Sequence, residues 1–125
     1  MEPRRVLVID DEAIFTNLVK LNLEKTGRFT VREVNNPLEA LAAAREFRPQ
    51  VVLLDVIMPG RDGGQVLAEL RAHEFTYLPA IFVTATMTQQ GLQQRDDKIE
   101  GVPFIAKPVE PKKLIKRIDE VLGYS

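Results

Sequence analysis

The 125 residues predict an α/β fold, a doubly wound parallel sheet of five strands with helices on both faces. Three observations carry that prediction. Five short apolar runs recur along the chain, helical patterns separate them, and four of the runs end in side chains suited to chemistry rather than packing. Strands that alternate with helices imply right-handed crossovers, and these leave neighbouring strands parallel.

Arg5 to Ile9 is the first predicted strand, and it runs straight into Asp10, Asp11 and Glu12. The helical pattern after Asp11 places Ile14, Leu18 and Leu21 on one face, with Phe15, Val19 and Leu23 widening the stripe, and this face is expected to pack on the sheet. Phe29 to Val34 is mixed in character and suits an edge strand. Asn36-Pro37 supplies a cap and a proline at the first helical position, ahead of LEALAAAREF. Val51 to Leu54 is apolar throughout, as a central strand is. From Gly63 a helix carries Val66, Leu67 and Leu70. Ala80 to Thr84 and Val102 to Ala106 are the last two strands. Between them, Thr88 to Glu100 is polar apart from Leu92 and Ile99 and holds Gly91, which predicts a short or loosely held helix. Pro111 opens the final helix, with Leu114, Ile115, Ile118, Val121 and Leu122 in register and Gly123 as its stop.

Composition removes several function classes. The chain has no cysteine, so disulfides, thiolate metal sites and cysteine nucleophiles are excluded. Its 17 basic and 18 acidic residues lack the positive surplus that binding to a phosphate backbone exploits, so no direct nucleic-acid partner is expected. No apolar run approaches the roughly 20 residues of a membrane span, and the first apolar run is too short for a signal peptide. A cytoplasmic location without membrane attachment is therefore expected. His73, the single histidine, reads as a solvated side chain.

In open parallel sheets, ligands bind beyond the carboxyl ends of the strands, where the connections diverge to opposite faces. The first strand ends in Asp10-Asp11, the third in Asp55, the fourth in Thr84 and the fifth in Lys107-Pro108. Neighbouring strands lie about 4.8 Å apart, so an order placing the first strand beside the third gathers three carboxyl groups. Their mutual repulsion is relieved by a divalent cation, and an all-oxygen site suits magnesium. Each residue alone has a plainer reading: a helix cap for Asp10 or Asp11, a turn for Asp55, a strand residue for Thr84, a surface turn for Lys107-Pro108. Their joint occurrence at the ends of successive strands favours the chemical reading.

The set Asp10-Asp11, Asp55 followed by VIMPGRDG, Thr84-Ala85 and Lys107-Pro108 resembles the receiver domain of two-component response regulators, over the whole chain, 1–125. The resemblance implies a flavodoxin-like, doubly wound sheet of strand order 2-1-3-4-5. It implies a signalling domain, not an enzyme in the ordinary sense, which assists its own phosphorylation and dephosphorylation. Asp55 would take a phosphoryl group from a histidine kinase or histidine phosphotransfer protein. Mg2+ or Mn2+ would be held by Asp10, Asp11, Asp55 and the backbone carbonyl of Ile57. Thr84 and Lys107 would meet the phosphoryl oxygens, Phe104 would be the switch aromatic, and a cis peptide would precede Pro108. Phe15 and Val109 would contact the partner, with Phe15 as core the plainer alternative. The output domain or target protein is left open by the resemblance.

Two other readings compete: a receiver-like interaction module that is not phosphorylated, and a small aspartyl-nucleophile phosphohydrolase. The second fits poorly, because its acids would stand two apart, whereas Asp10 and Asp11 are adjacent. A P-loop is absent from the sequence. The side chains two beyond Asp55 and Thr84 are Ile57 and Thr86. Neither suits the positioning of a hydrolytic water, so a long-lived phosphoryl group is expected. The chain stops soon after the last helix, as a single-domain regulator or a receiver cut from a longer protein would.

Overall fold

A computed structural model describes residues 2–85, 98–99 and 101–123. In chain order the elements are β1 (Arg4–Ile9), α1 (Ala13–Glu24), β2 (Phe29–Val34), α2 (Ala40–Phe47), β3 (Val51–Asp55), α3 (Gly63–Ala72), β4 (Ala80–Thr84), β5 (Lys98–Ile99), β6 (Val102–Ala106) and α4 (Pro111–Val121). The sheet order is β2-β1-β3-β4-β6-β5. Five strands are parallel in the expected order, with β6 as the fifth. The apolar β3 is interior and the mixed β2 lies at an edge, as their compositions predict.

Alternation along the strands divides the core in two. Leu7, Ile9, Val52 and Leu54 point to the face covered by Ala40 and Ala44 of α2 and Val66 and Leu70 of α3. Val6, Val8, Leu53 and Ile81 point to the other face, against Val19 and Leu23 of α1 and Leu114 and Ile118 of α4. Both faces of the central strands are therefore covered.

Two expectations are corrected. Lys98–Ile99 is no part of a helix but a strand antiparallel to β6, paired with Pro103 and Val102, and Gly101 at φ 83° turns the chain between them. The rest of the expected helix from Thr88, apart from those two residues, lies outside the described residues, as does Thr86. The second correction concerns α1. Ile14, Leu18 and Leu21 face solvent, 87%, 54% and 60% exposed, while Thr16, Val19 and Leu23 are buried and Phe15 is half-buried. The helix carries two apolar stripes side by side, and only one can meet the sheet. Polar anchors select it: Thr16 Oγ1 donates to Glu33 Oε1 of β2 at 2.7 Å, and Lys20 Nζ donates to the Val31 carbonyl at 3.0 Å.

The start of α3 positions Asp55. Asp62 accepts from the Gln65 N–H at 2.8 Å, while the Gln65 side chain accepts from the Asp62 N–H at 3.0 Å, a reciprocal cap. The next residue, Gly63, donates its N–H to the Val56 carbonyl at 2.8 Å. A Cβ there would overlap the Asp55 carbonyl oxygen and sit 3.0 Å from its carbon. Only glycine allows this approach.

Candidate functional site

Strand register builds the site. Ile9 lies opposite Leu54, so Asp10 and Asp55 emerge side by side. Asp55 lies opposite Val83, with Thr84 one step further, and Thr84 lies opposite Ala106. Lys107 follows, and its N–H donates to the Thr84 carbonyl at 2.9 Å. Asp10, Asp55 and Thr84 are buried, whereas Asp11 is exposed. Asp10, Asp11 and Asp55 each offer a carboxylate oxygen such that all three lie within 4.8 Å of one another.

Lys107 reaches across this cluster from β6 to the start of α1. Its Nζ donates to Glu12 Oε1 at 2.6 Å and lies 2.8 Å from Asp10 Oδ2, 3.8 Å from Asp55 Oδ2 and 4.4 Å from the centre of the Phe15 ring. At 2.8 Å the ammonium and the buried Asp10 Oδ2 form a close ion pair. Asp10 Oδ1 accepts from the Glu12 N–H at 2.9 Å.

The charges are incompletely balanced. Burial, and then the neighbouring Asp10, push the Asp55 carboxyl up to about 6 even though Lys107 pulls the other way. Burial also raises Asp10, against the opposing pull of Lys107. For Lys107 itself burial favours the neutral amine, but the Asp10 and Glu12 carboxylates outweigh it and the ammonium is held above its usual range. One ammonium thus serves several carboxylates. The donor set fits a hard divalent cation: three carboxylates converge, and one ammonium is left to balance them and Glu12.

Of the residues expected from the sequence, Asp10, Asp11, Asp55, Thr84 and Lys107 meet at one sheet edge. Ile57 is exposed beside them, with its N–H 3.4 Å from Asp55 Oδ1. The Lys107–Pro108 peptide is cis. Phe15 and Val109 are half-buried against the core and together line a groove with Ile14, Leu18, Pro111 and Leu114. Phe104 is 6% exposed and packed in the core, on the strand that pairs with β4. His73 is exposed, with Nδ1 2.7 Å from the Glu69 carbonyl oxygen.

Three residues of the site had no role assigned from the sequence. Asn35 Nδ2 donates to the Asp10 carbonyl at 2.8 Å and to Thr16 Oγ1 at 2.9 Å, tying the end of β1 to α1. Thr16, a polar residue inside an apolar helical stripe, was a visible signal. Glu12, a third consecutive acid at a helix N-cap, was another.

The family model of the response regulator receiver domain matches residues 6–119. Among curated proteins, the chain is 30% identical over 128 residues to the phosphate regulon transcriptional regulatory protein PhoB of Pseudomonas aeruginosa, covering 98% of this chain and 53% of that one. It is 35% identical over 119 residues to the DNA-binding response regulator MtrA of Mycolicibacterium paratuberculosis, covering 92% of this chain and 49% of that one. The chain therefore spans about half the length of these relatives. Among solved structures, the chemotaxis protein CheY4 of Vibrio cholerae superposes with a TM-score of 0.81 at 25% identity, over 95% of this chain and 98% of that one.

Proposed function

The chain belongs to the response regulator receiver domain family, and from that premise we propose that residues 1–125 form a phosphoacceptor receiver in which Asp55 is the acceptor. Receivers of response regulators are signalling domains. The observation that carries the reading is the convergence of Asp10, Asp11 and Asp55 beside Lys107 at the carboxyl edge of a parallel sheet.

In the proposed transfer, an Asp55 carboxylate oxygen attacks the phosphorus of a partner's phosphohistidine. A P–O bond forms as the P–N bond breaks, and the electron pair stays on the imidazole nitrogen, which then takes a proton. Charge spreads over the phosphoryl oxygens during this step, so the protein's task is positioning and electrostatic stabilisation. Lys107 supplies a mobile point charge on a long stem, and Thr84 supplies a hydroxyl. Asp10, Asp11, Asp55 and the Ile57 carbonyl would hold Mg2+ or Mn2+. When bound, the cation supplies positive charge that offsets the crowded carboxylates and the incoming phosphoryl group.

The partner, a histidine kinase or histidine phosphotransfer protein, is proposed to dock on the groove lined by Ile14, Phe15, Leu18 and Val109, which borders Lys107. The solvent-facing apolar side chains of α1 support this placement. Output is proposed to run from Thr84 through β6, where Phe104 borders a cleft with Lys113, Lys116 and Arg117. The exposed Ile57 offers an approaching water no hydrogen bond, which supports slow loss of the phosphoryl group.

Intact mass measured after incubation with acetyl phosphate tests the acceptor. Wild type with Mg2+ is expected to gain one phosphoryl group, and wild type with chelator or Asp55→Asn with Mg2+ to gain none. Equal labelling of Asp55→Asn would overturn the assignment, and equal labelling with chelator would remove the cation from it.

A further inference from the structure

Glu12 stands at the N-cap of α1 but makes no capping hydrogen bond, in a place where short polar side chains normally serve that purpose. Its carboxylate instead reaches Lys107, 95 residues away in sequence, at 2.6 Å. The Glu12 side chain is 63% exposed and that of Lys107 only 11%, so the pair joins a surface acid to the buried end of the site. Lys107 Nζ lies 2.6 Å from Glu12 and 2.8 Å from Asp10 but 3.8 Å from Asp55, and the Phe15 ring flanks it on the α1 side. The ammonium is therefore held toward α1, away from the acceptor it has to serve.

We infer that Glu12 is a positioning residue that restrains Lys107 at the start of α1, so that the lysine has to leave the Glu12 carboxylate before it can engage a phosphoryl group on Asp55. The inference rests on the receiver reading above and adds a residue to it. An ammonium has three donors, and those directed to Glu12 and to Asp10 are not available to the phosphoryl oxygens while it stays there. Because Glu12 is exposed, the restraint is weak and screened by salt, which suits a brake that a bound partner releases. Glu12 also borders the groove that contains Phe15, Leu18 and Val109, so an occupant of that groove meets the carboxylate that holds the lysine.

The test uses Glu12→Gln, which keeps the side-chain length and removes the charge. Glu110→Gln is the control: Glu110 is exposed three residues beyond Lys107 and makes no ion pair among the described residues. At saturating Mg2+ and low salt, Glu12→Gln is expected to accelerate labelling of Asp55 by acetyl phosphate two- to fivefold. The gain should shrink as salt rises, and Glu110→Gln should label at the wild-type rate. Saturating Mg2+ separates this effect from any change in cation affinity. A rate equal to or below wild type, or the same gain in Glu110→Gln, would overturn the inference, the second by showing general repulsion of the anionic donor. Failure of wild type to label would sink the receiver reading instead. The restraint can be read without labelling, because the Lys107 ammonium NMR signal should move in Glu12→Gln and stay in place in Glu110→Gln. An unmoved signal in Glu12→Gln would also overturn it.

Discussion

The two helices that follow the two acid-bearing strands begin in opposite ways. After β3, α3 starts with a reciprocal Asp62–Gln65 cap and a glycine pressed against the Asp55 backbone. After β1, α1 starts with an uncapped turn whose Glu12 side chain goes to Lys107, and its outer face leaves Ile14, Leu18 and Leu21 in solvent. The start of α3 is committed to holding Asp55 still. The start of α1 gives up local stability to the site and to a surface nothing in the chain covers among the described residues.

Gly63→Ala should do the most damage to the rigid start of α3. The added Cβ meets backbone that cannot yield, so stability should fall by about 3 kcal/mol, read by denaturant unfolding, and Asp55 labelling should slow with it. A loss below about 1 kcal/mol would show that the start of α3 is not rigid.

A smaller effect is expected from charge. The Asp55 carboxyl, raised to about 6, binds its proton more tightly in the folded chain than in the unfolded one, where about 3.9 is usual. The contribution of Asp55 to the stability of the metal-free protein is therefore most favourable below pH 4 and declines as pH rises from 4 through 6. Asp55→Asn removes this decline, and should be more stable than wild type at pH 7.5 by on the order of 2 kcal/mol, with the difference gone near pH 4. Mg2+ should narrow the gap at pH 7.5. Thermal melts across this range would expose a wrong sign directly.

Asp62→Ala removes the cap of α3 and should cost about 1 kcal/mol while leaving Mg2+ affinity unchanged, as calorimetry would record. Least of all, Leu18→Ser on the open face of α1 should change stability by less than about 0.5 kcal/mol, whereas truncating the adjacent buried Val19 to Ala should cost 1 kcal/mol or more. A large loss at Leu18 would mean that the outer stripe is part of the fold after all.

The sheet and the acid cluster were legible because both follow from local rules. Val51 to Leu54 is apolar on both faces and has to be interior, and a parallel register carries the residues after each strand to one edge. The packing face of α1 was not legible, since its two stripes are equally apolar and the choice depends on Thr16 and Lys20 finding partners on β2. β5 was hidden because two residues carry no periodicity. The Glu12–Lys107 pair escaped for another reason: it joins residues 95 apart whose meeting depends on the finished sheet.

One carboxylate among several crowded ones is proposed to carry the phosphoryl group, and chemical trapping identifies which. After incubation with acetyl phosphate and Mg2+, borohydride reduces the acyl phosphate to an alcohol, and peptide mapping locates the altered residue. The modification is expected at Asp55 alone, the acid that ends β3. A modification at Asp10, Asp11 or Glu12, with Asp55 untouched, would remove Asp55 as the acceptor.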